Sequence, residues 1–194
     1  MEVRRLSYKG MSIAYYYYQG GRDGIILLHG YSFNSRVWDE IGLPQAIGGL
    51  GFSVMSLDVP GFPQSSNKLS MNESQVVSLI GMLAKEIEGR VFVLGASASA
   101  HAVLKFAEEQ GDAVSGVIVV GPASVRGILA ERIKARVLAV WGEEDDISPP
   151  YKSEDMIRSI RGSKMSIIKG AKHACYLNRP KTFIKMVSDF ISSK

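Results

Sequence analysis

The stretch Val91-Phe92-Val93-Leu94-Gly95-Ala96-Ser97-Ala98-Ser99-Ala100 decides the reading of this chain. A run of strand-forming residues meets a glycine, a serine follows between small side chains, and a helical pattern begins at once. This is the sequence of a nucleophile elbow, a sharp strand-to-helix turn that lifts a serine hydroxyl above the end of a sheet. The usual pattern is G-x-S-x-G, and here Ser99 stands in the place of the second glycine. The turn demands close packing of helix on strand, and Ala96, Ala98, Ser99 and Ala100 are all small.

Working outward, short apolar runs recur on both sides of the elbow. Ile25–Leu28, Phe52–Leu57, Val91–Leu94, Val117–Val120, Val137–Trp141 and Met165–Ile168 each read as a strand buried on both faces. Helical patterns fall between them, at roughly Val37–Gly49, Glu73–Glu88, Ala98–Gln110, Tyr151–Ile160 and Lys181–Ile191. The alternation predicts an α/β fold, a mostly parallel sheet with helices on both faces. Ahead of it, Val3–Tyr8 and Ile13–Gln19 flank Lys9-Gly10-Met11 as an antiparallel hairpin, where the tyrosines at 15–18 suit a pleated surface. Function in such sheets gathers at the carboxyl ends of the strands. The loop Val59–Met71, broken by Pro60, Gly61 and Pro63, follows a strand and is expected to border a site.

With 194 residues, 46% hydrophobic and 22% charged, the chain is expected to form a single domain over 1–194 with a substantial core. The net charge of +4 comes without a block of like charge, which argues against a nucleic-acid partner. No apolar run approaches the ~18 residues of a membrane span. The start, Met1-Glu2-Val3-Arg4-Arg5, does not lead into an apolar signal core. Cys175 is the single cysteine, which fits a reducing compartment and reads as a buried hydrophobe. A cytoplasmic protein without metal or cofactor is expected, with its oligomeric state open.

A serine becomes a nucleophile when a general base lies in hydrogen-bond reach and an acid orients that base. Among the three histidines, His101 falls one helical turn past Ser97 and reads as a packing residue. His29 ends a buried strand before Gly30, which suits a structural or oxyanion-loop role. His173 lies in the loop after the last strand, in Lys169-Gly170-Ala171-Lys172-His173-Ala174-Cys175-Tyr176-Leu177, and is the candidate base. The acid comes from Glu143-Glu144-Asp145-Asp146, just past the strand Val137–Trp141, where Asp145 and Asp146 both compete. An oxyanion needs preorganised donors. The N–H of Ala98, directly after the serine, and that of Tyr31, in the loop His29-Gly30-Tyr31-Ser32, are the candidates.

These landmarks resemble the α/β-hydrolase superfamily: Leu28-His29-Gly30, Asp58-Val59-Pro60-Gly61-Phe62, the elbow at Ser97, Gly142-Glu143-Glu144-Asp145 and Gly170-Ala171-Lys172-His173, in that order. The resemblance selects Asp145 as the acid, giving the order Ser97, Asp145, His173. The helical cap common after the sixth apolar run has no room here, because Gly121-Pro122-Ala123 leads straight on to Val137. The chain is most similar to the small cap-less α/β-hydrolase domain-containing protein 14 group. An S-x-S-x-S elbow and a His-x-Cys-Tyr-Leu segment mark that group, the latter matched by His173-Ala174-Cys175-Tyr176-Leu177. Gly95 departs from the group's serine, and Pro63 replaces the second glycine of the D-x-x-G-x-G-x-S loop.

The resemblance implies a serine esterase acting on small or short-acyl esters through an acyl-enzyme. An acyltransferase or deacetylase with coenzyme A as acceptor, or a binding protein on a hydrolase fold, are the alternatives. Without a cap the acyl pocket is expected to be shallow and bordered by Tyr31–Arg36, Val59–Asn67 and Ser124–Leu129. Gly30, Ser32, Arg36, Phe62, Arg126 and Tyr176 are the candidate substrate contacts.

Overall fold

Apolar residues at successive positions along the central strands leave no polar face, so both sides of the sheet must be covered. The computed structural model, which describes residues 1–193, covers both. Eight strands form one sheet: β1 (Glu2–Tyr8), β2 (Met11–Tyr18), β3 (Gly24–Leu28), β4 (Ser53–Leu57), β5 (Val91–Ala96), β6 (Gly116–Val120), β7 (Arg136–Gly142) and β8 (Lys164–Ile168). Their spatial order is β1-β2-β4-β3-β5-β6-β7-β8. The hairpin β1–β2 is antiparallel and β2 pairs antiparallel with β4, while all further pairings are parallel.

The helices are α1 (Val37–Glu40), α2 (Leu43–Gly48), α3 (Glu73–Ala84), α4 (Ala98–Gln110), α5 (Glu154–Ser159), α6 (Cys175–Asn178) and α7 (Pro180–Ser192). Alternate strand residues serve two separate cores. Ile26, Leu28, Val93, Val117 and Trp141 pack under α3 and α4, joined by Ile157 of α5. Ile25, Leu27, Phe92, Leu94, Ile118 and Val140 pack under α1, α2 and α7 through Trp38, Leu43, Ile47, Phe183 and Val187. Fully burying each such side chain is worth ~1.5–3 kcal/mol.

Several boundaries differ from the sequence expectation. The helix expected over 37–49 is two short helices, because Gly42 takes a left-handed φ of 77° between them. The pattern over 73–88 stops as helix at Ala84, and that over 151–160 is a 3₁₀ turn, Pro150–Lys152, followed by α5. Strand β8 is an edge strand, not one buried on both faces, and its Ile167 is 44% exposed. The α6 turn has no counterpart among the expected helices.

Two connections shape the carboxyl edge. Residues 121–135 join β6 to β7 with one 3₁₀ turn, Ala130–Arg132, and no helical cap. The loop after β4 is drawn back onto the sheet by Asn67, whose side chain accepts from the Ala14 N–H and donates to the Ala14 and Asp58 carbonyls. Asp58 anchors the same loop: its carboxylate accepts from the backbone N–H and the hydroxyl of Ser66, at 2.7 and 2.5 Å, and from the Ser35 N–H at 3.2 Å.

Candidate active site

Strand β5 ends at Ala96, α4 starts at Ala98, and Ser97 between them has φ 53° and ψ −112°. A non-glycine residue at positive φ is costly and persists only where its surroundings fix it. Those surroundings are visible. The Ser97 N–H donates to the Val120 carbonyl at 2.7 Å, and its own carbonyl accepts from Ala100 and Ala123. A Cβ on Gly95 would come within 2.6 Å of Val103 and 2.8 Å of the Ser99 carbonyl, so the first glycine of the elbow is sterically required. The Ser99 hydroxyl donates to the His29 carbonyl at 2.6 Å, tying the start of α4 to the loop after β3. In place of a second glycine, the chain has a strut.

The elbow presents Ser97 to His173. The Ser97 Oγ lies 2.9 Å from His173 Nε2, and His173 Nδ1 lies 2.9 and 3.0 Å from the two Asp145 oxygens. A carboxylate only accepts, so Nδ1 carries the ring proton and Nε2 is free to accept from the serine hydroxyl. Asp145 is buried and is itself held by the N–H groups of Ile147 and Ser148 on Oδ1, at 3.1 and 2.8 Å. Ser148 in turn donates its hydroxyl to the Pro122 carbonyl at 2.6 Å. Asp146, the competing acid, is exposed.

Glycines let this arrangement close. Gly121 has φ 48°, and a Cβ there would stand 3.0 Å from Asp145 Oδ2 and 3.1 Å from His173. At Gly142 a Cβ would meet the Ala171 carbonyl at 2.2 Å, because β7 runs hard against the loop that carries His173. Neither Gly121 nor Ser148 is among the candidate residues from sequence. A glycine directly after β6 and a serine three residues past Asp145 were the available signals, the latter a common local capping pattern.

On the other side of Ser97, Gly30 approaches closely: a Cβ on it would lie 3.6 Å from the Ser97 Cβ and 3.7 Å from the Ala96 carbonyl. The N–H groups of Tyr31 and Ala98 have no acceptor among the described residues, so both remain available to an incoming oxygen. His29 is fully buried and plays a structural part. Its Nδ1–H donates to the Gly30 carbonyl and its Nε2 accepts from the Val59 N–H, both at 2.9 Å, which joins the two strand-end loops. His101 is placed as a brace. Its Nε2 donates to the Arg126 carbonyl at 2.9 Å and its Nδ1 meets the Glu73 carboxylate, linking α4, α3 and the 121–135 connection.

A cavity of about 230 Å³ opens beside Ser97 and His173. Gly30, Tyr31, Ser32, Phe33, Ala96, Val120, Ile147 and Tyr176 line the rest of it. Of the candidate substrate contacts, Gly30, Ser32 and Tyr176 therefore face this space, and Arg36, Phe62 and Arg126 do not. Phe62 packs edge-on against His29 and Tyr31. Arg36 is exposed, and Arg126 is exposed with its carbonyl engaged by His101. The 59–67 and 124–129 loops border no part of the cavity; Val59, Pro60 and Phe62 line a separate hollow of about 160 Å³ next to Ala98. Phe33 and Ile147 are lining residues that sequence reasoning did not single out.

Behind His173, Cys175 is fully buried and its thiol is pushed up to about 12, mainly by burial and further by the Asp145 charge. It is held as the protonated, unreactive form. No cluster of His, Cys, Asp and Glu suited to a metal ion occurs among the described residues. No helix among them is long and apolar enough to cross a membrane.

This sheet order, with a serine elbow after the fifth strand and an acid and a histidine beyond later strands, defines the α/β-hydrolase fold. Within it the chain is similar to the ABHD14 proteins. It is 27% identical to ABHD14A of Danio rerio over 175 residues, 87% of this chain and 64% of that protein. It is 26% identical to human ABHD14B over 177 residues, 88% of this chain and 83% of that protein. The crystal structure of a "predicted CIB-like hydrolase" from Thermoplasma acidophilum superposes with a TM-score of 0.85 at 29% identity, covering 98% of this chain and 97% of that one. The chain thus spans 64% and 65% of the Danio rerio and human ABHD14A lengths. No family model matches it.

Proposed function

We propose that the protein is a serine hydrolase that cleaves small or short-acyl esters through an acyl-enzyme on Ser97. The observation that carries this reading is the continuous relay from Ser97 Oγ through His173 to Asp145, each link 2.9–3.0 Å. His173 Nε2 takes the serine proton as Oγ attacks the acyl carbon and returns it to the leaving alcohol. Asp145 holds the ring in the required tautomer and stabilises the imidazolium that forms. The N–H groups of Ala98 and Tyr31 receive the oxyanion, and water activated by His173 then releases the acid. The open cavity, uncovered by any cap, favours short acyl groups or acyl groups projecting from something larger.

Ser97→Ala tests the reading. Hydrolysis of p-nitrophenyl acetate and butyrate should fall by on the order of 10³-fold or more, with the fold intact by circular dichroism. A fluorophosphonate probe should label the parent chain at Ser97 and leave the variant unlabelled. Parent protein that neither turns over esters nor takes the probe would instead be a binding protein on this fold.

A second reading concerns the substrate. Human ABHD14B carries the name "Putative protein-lysine deacylase ABHD14B", and the same acyl-enzyme would serve an acyl-lysine amide. Release of acetate from an acetyl-lysine peptide, measured with and without coenzyme A, separates this reading from simple esterolysis and hydrolysis from acyl transfer.

A further inference from the structure

The cavity beside Ser97 is graded. Tyr31 and Ile147 at its rim are 55% and 64% exposed, while Val120 and Tyr176 are 1% and 3% exposed and form its inner end. The walls are largely apolar, from Phe33, Val120, Ile147 and the Tyr176 ring. That ring is clamped by Trp38 at 4.9 Å, Phe183 at 5.8 Å and Phe33 at 6.1 Å between ring centroids. It cannot swing away without opening the core that contains α7.

The Tyr176 hydroxyl nevertheless has no hydrogen-bond partner. No described group accepts from it, and it is absent from the polar side-chain atoms that are both sealed and unpaired, such as Trp38 Nε1 and Ser35 Oγ. The hydroxyl is thus unpaired yet not sealed, on a buried residue that lines the cavity. Burial also raises its pKa above the ordinary tyrosine value, so it stays a donor at neutral pH. An unpaired donor in an apolar recess is costly until an acceptor fills the place.

We infer that the acyl site selects short acyl groups bearing a hydrogen-bond-accepting oxygen along the chain, such as oxo-acyl groups, and that Tyr176 is the specificity-determining donor. This rests on the serine-hydrolase reading above. About 230 Å³ holds roughly seven water-sized groups, room for a short chain with one such oxygen. A site that hydrogen-bonds its substrate rejects an analogue lacking the acceptor more strongly than an apolar pocket rejects a missing methylene.

The test compares p-nitrophenyl levulinate with pentanoate, and 5-oxohexanoate with hexanoate, in the parent protein and Tyr176→Phe. In the parent, at least one oxo ester should be preferred in kcat/KM over its unsubstituted partner. In Tyr176→Phe that preference should fall by roughly 3- to 10-fold, the worth of one neutral hydrogen bond. Covalent labelling of Ser97 by a fluorophosphonate in the variant, whatever its rate, establishes that the variant's elbow is intact. Because each preference is a ratio within one protein, a uniform loss of activity in the variant leaves it unchanged. Equal oxo-to-unsubstituted ratios in the two proteins, or no oxo preference in the parent, overturn the inference and leave the hydrolase reading standing. A parent that hydrolyses none of the four esters and resists the probe overturns both.

Discussion

At the scale of single residues, the carboxyl edge of the sheet is held by groups that do no chemistry. Ser99 spans from α4 to the His29 carbonyl and keeps the loop bearing Gly30 and Tyr31 against the elbow. Ser99→Ala should cost about 1–2 kcal/mol in urea unfolding, since it removes the donor to a buried carbonyl. Because Tyr31 rides on that loop, it should also lower kcat for ester hydrolysis more than it raises KM. Read as sequence, Ser99 is a defect in a motif; its acceptor lies 70 positions earlier and no local pattern announces it. The positions of Ser97 and His173 were legible because each follows a strand end; the strand end alone left Asp145 and Asp146 open and the resemblance chose between them, whereas Arg36, Phe62 and Arg126 were placed on loops whose direction composition does not determine.

At the scale of elements, the β6–β7 connection is short but is built into the site. Ala123 donates to the Ser97 carbonyl, Pro122 accepts from Ser148, and Gly121 lies against the Asp145–His173 pair. Gly121→Ala should therefore strain a left-handed position, by roughly 1–2 kcal/mol, and push the carboxylate and imidazole apart. We expect kcat for p-nitrophenyl acetate to drop at least tenfold, while thermal unfolding shows a folded protein of modestly lower Tm. The strand and helix alternation was legible from apolar runs and their spacing. The split between α1 and α2 was not, because apolar residues continue across Gly42 at helical intervals and only its φ reveals the break. The exposure of β8 did leave a trace: Lys164 and Ser166 alternate with Met165 and Ile167, whereas the central β7 reads Val137-Leu138-Ala139-Val140-Trp141 without a polar residue.

At the scale of the whole molecule, acid sensitivity should trace to Asp58. Burial by itself would raise its pKa, but the hydrogen bonds from the Ser66 hydroxyl and N–H and from the Ser35 N–H outweigh burial and hold the carboxyl well below the usual carboxylate range. Its contribution to stability is complete above the unfolded carboxyl value of ~3.9 and is lost progressively as pH falls from there towards the folded-state value. Stability measured between pH 2 and 6 should decline on the acid side, and Asp58→Asn should flatten that decline while lowering stability near pH 6. A variant whose acid limb matches the parent's would place the sensitivity elsewhere.

Cys175 turns its own inertness into an instrument. It is the single thiol of the chain, fully buried, and two residues from His173 on the turn that carries the cavity's inner wall. An aromatic disulfide reagent can reach it only when that turn opens. The rate of its modification, followed by absorbance in the folded protein, therefore reports the free energy of local opening at the histidine loop. Occupancy of the cavity by a bound acid product should slow it, which makes ligand binding visible without turnover.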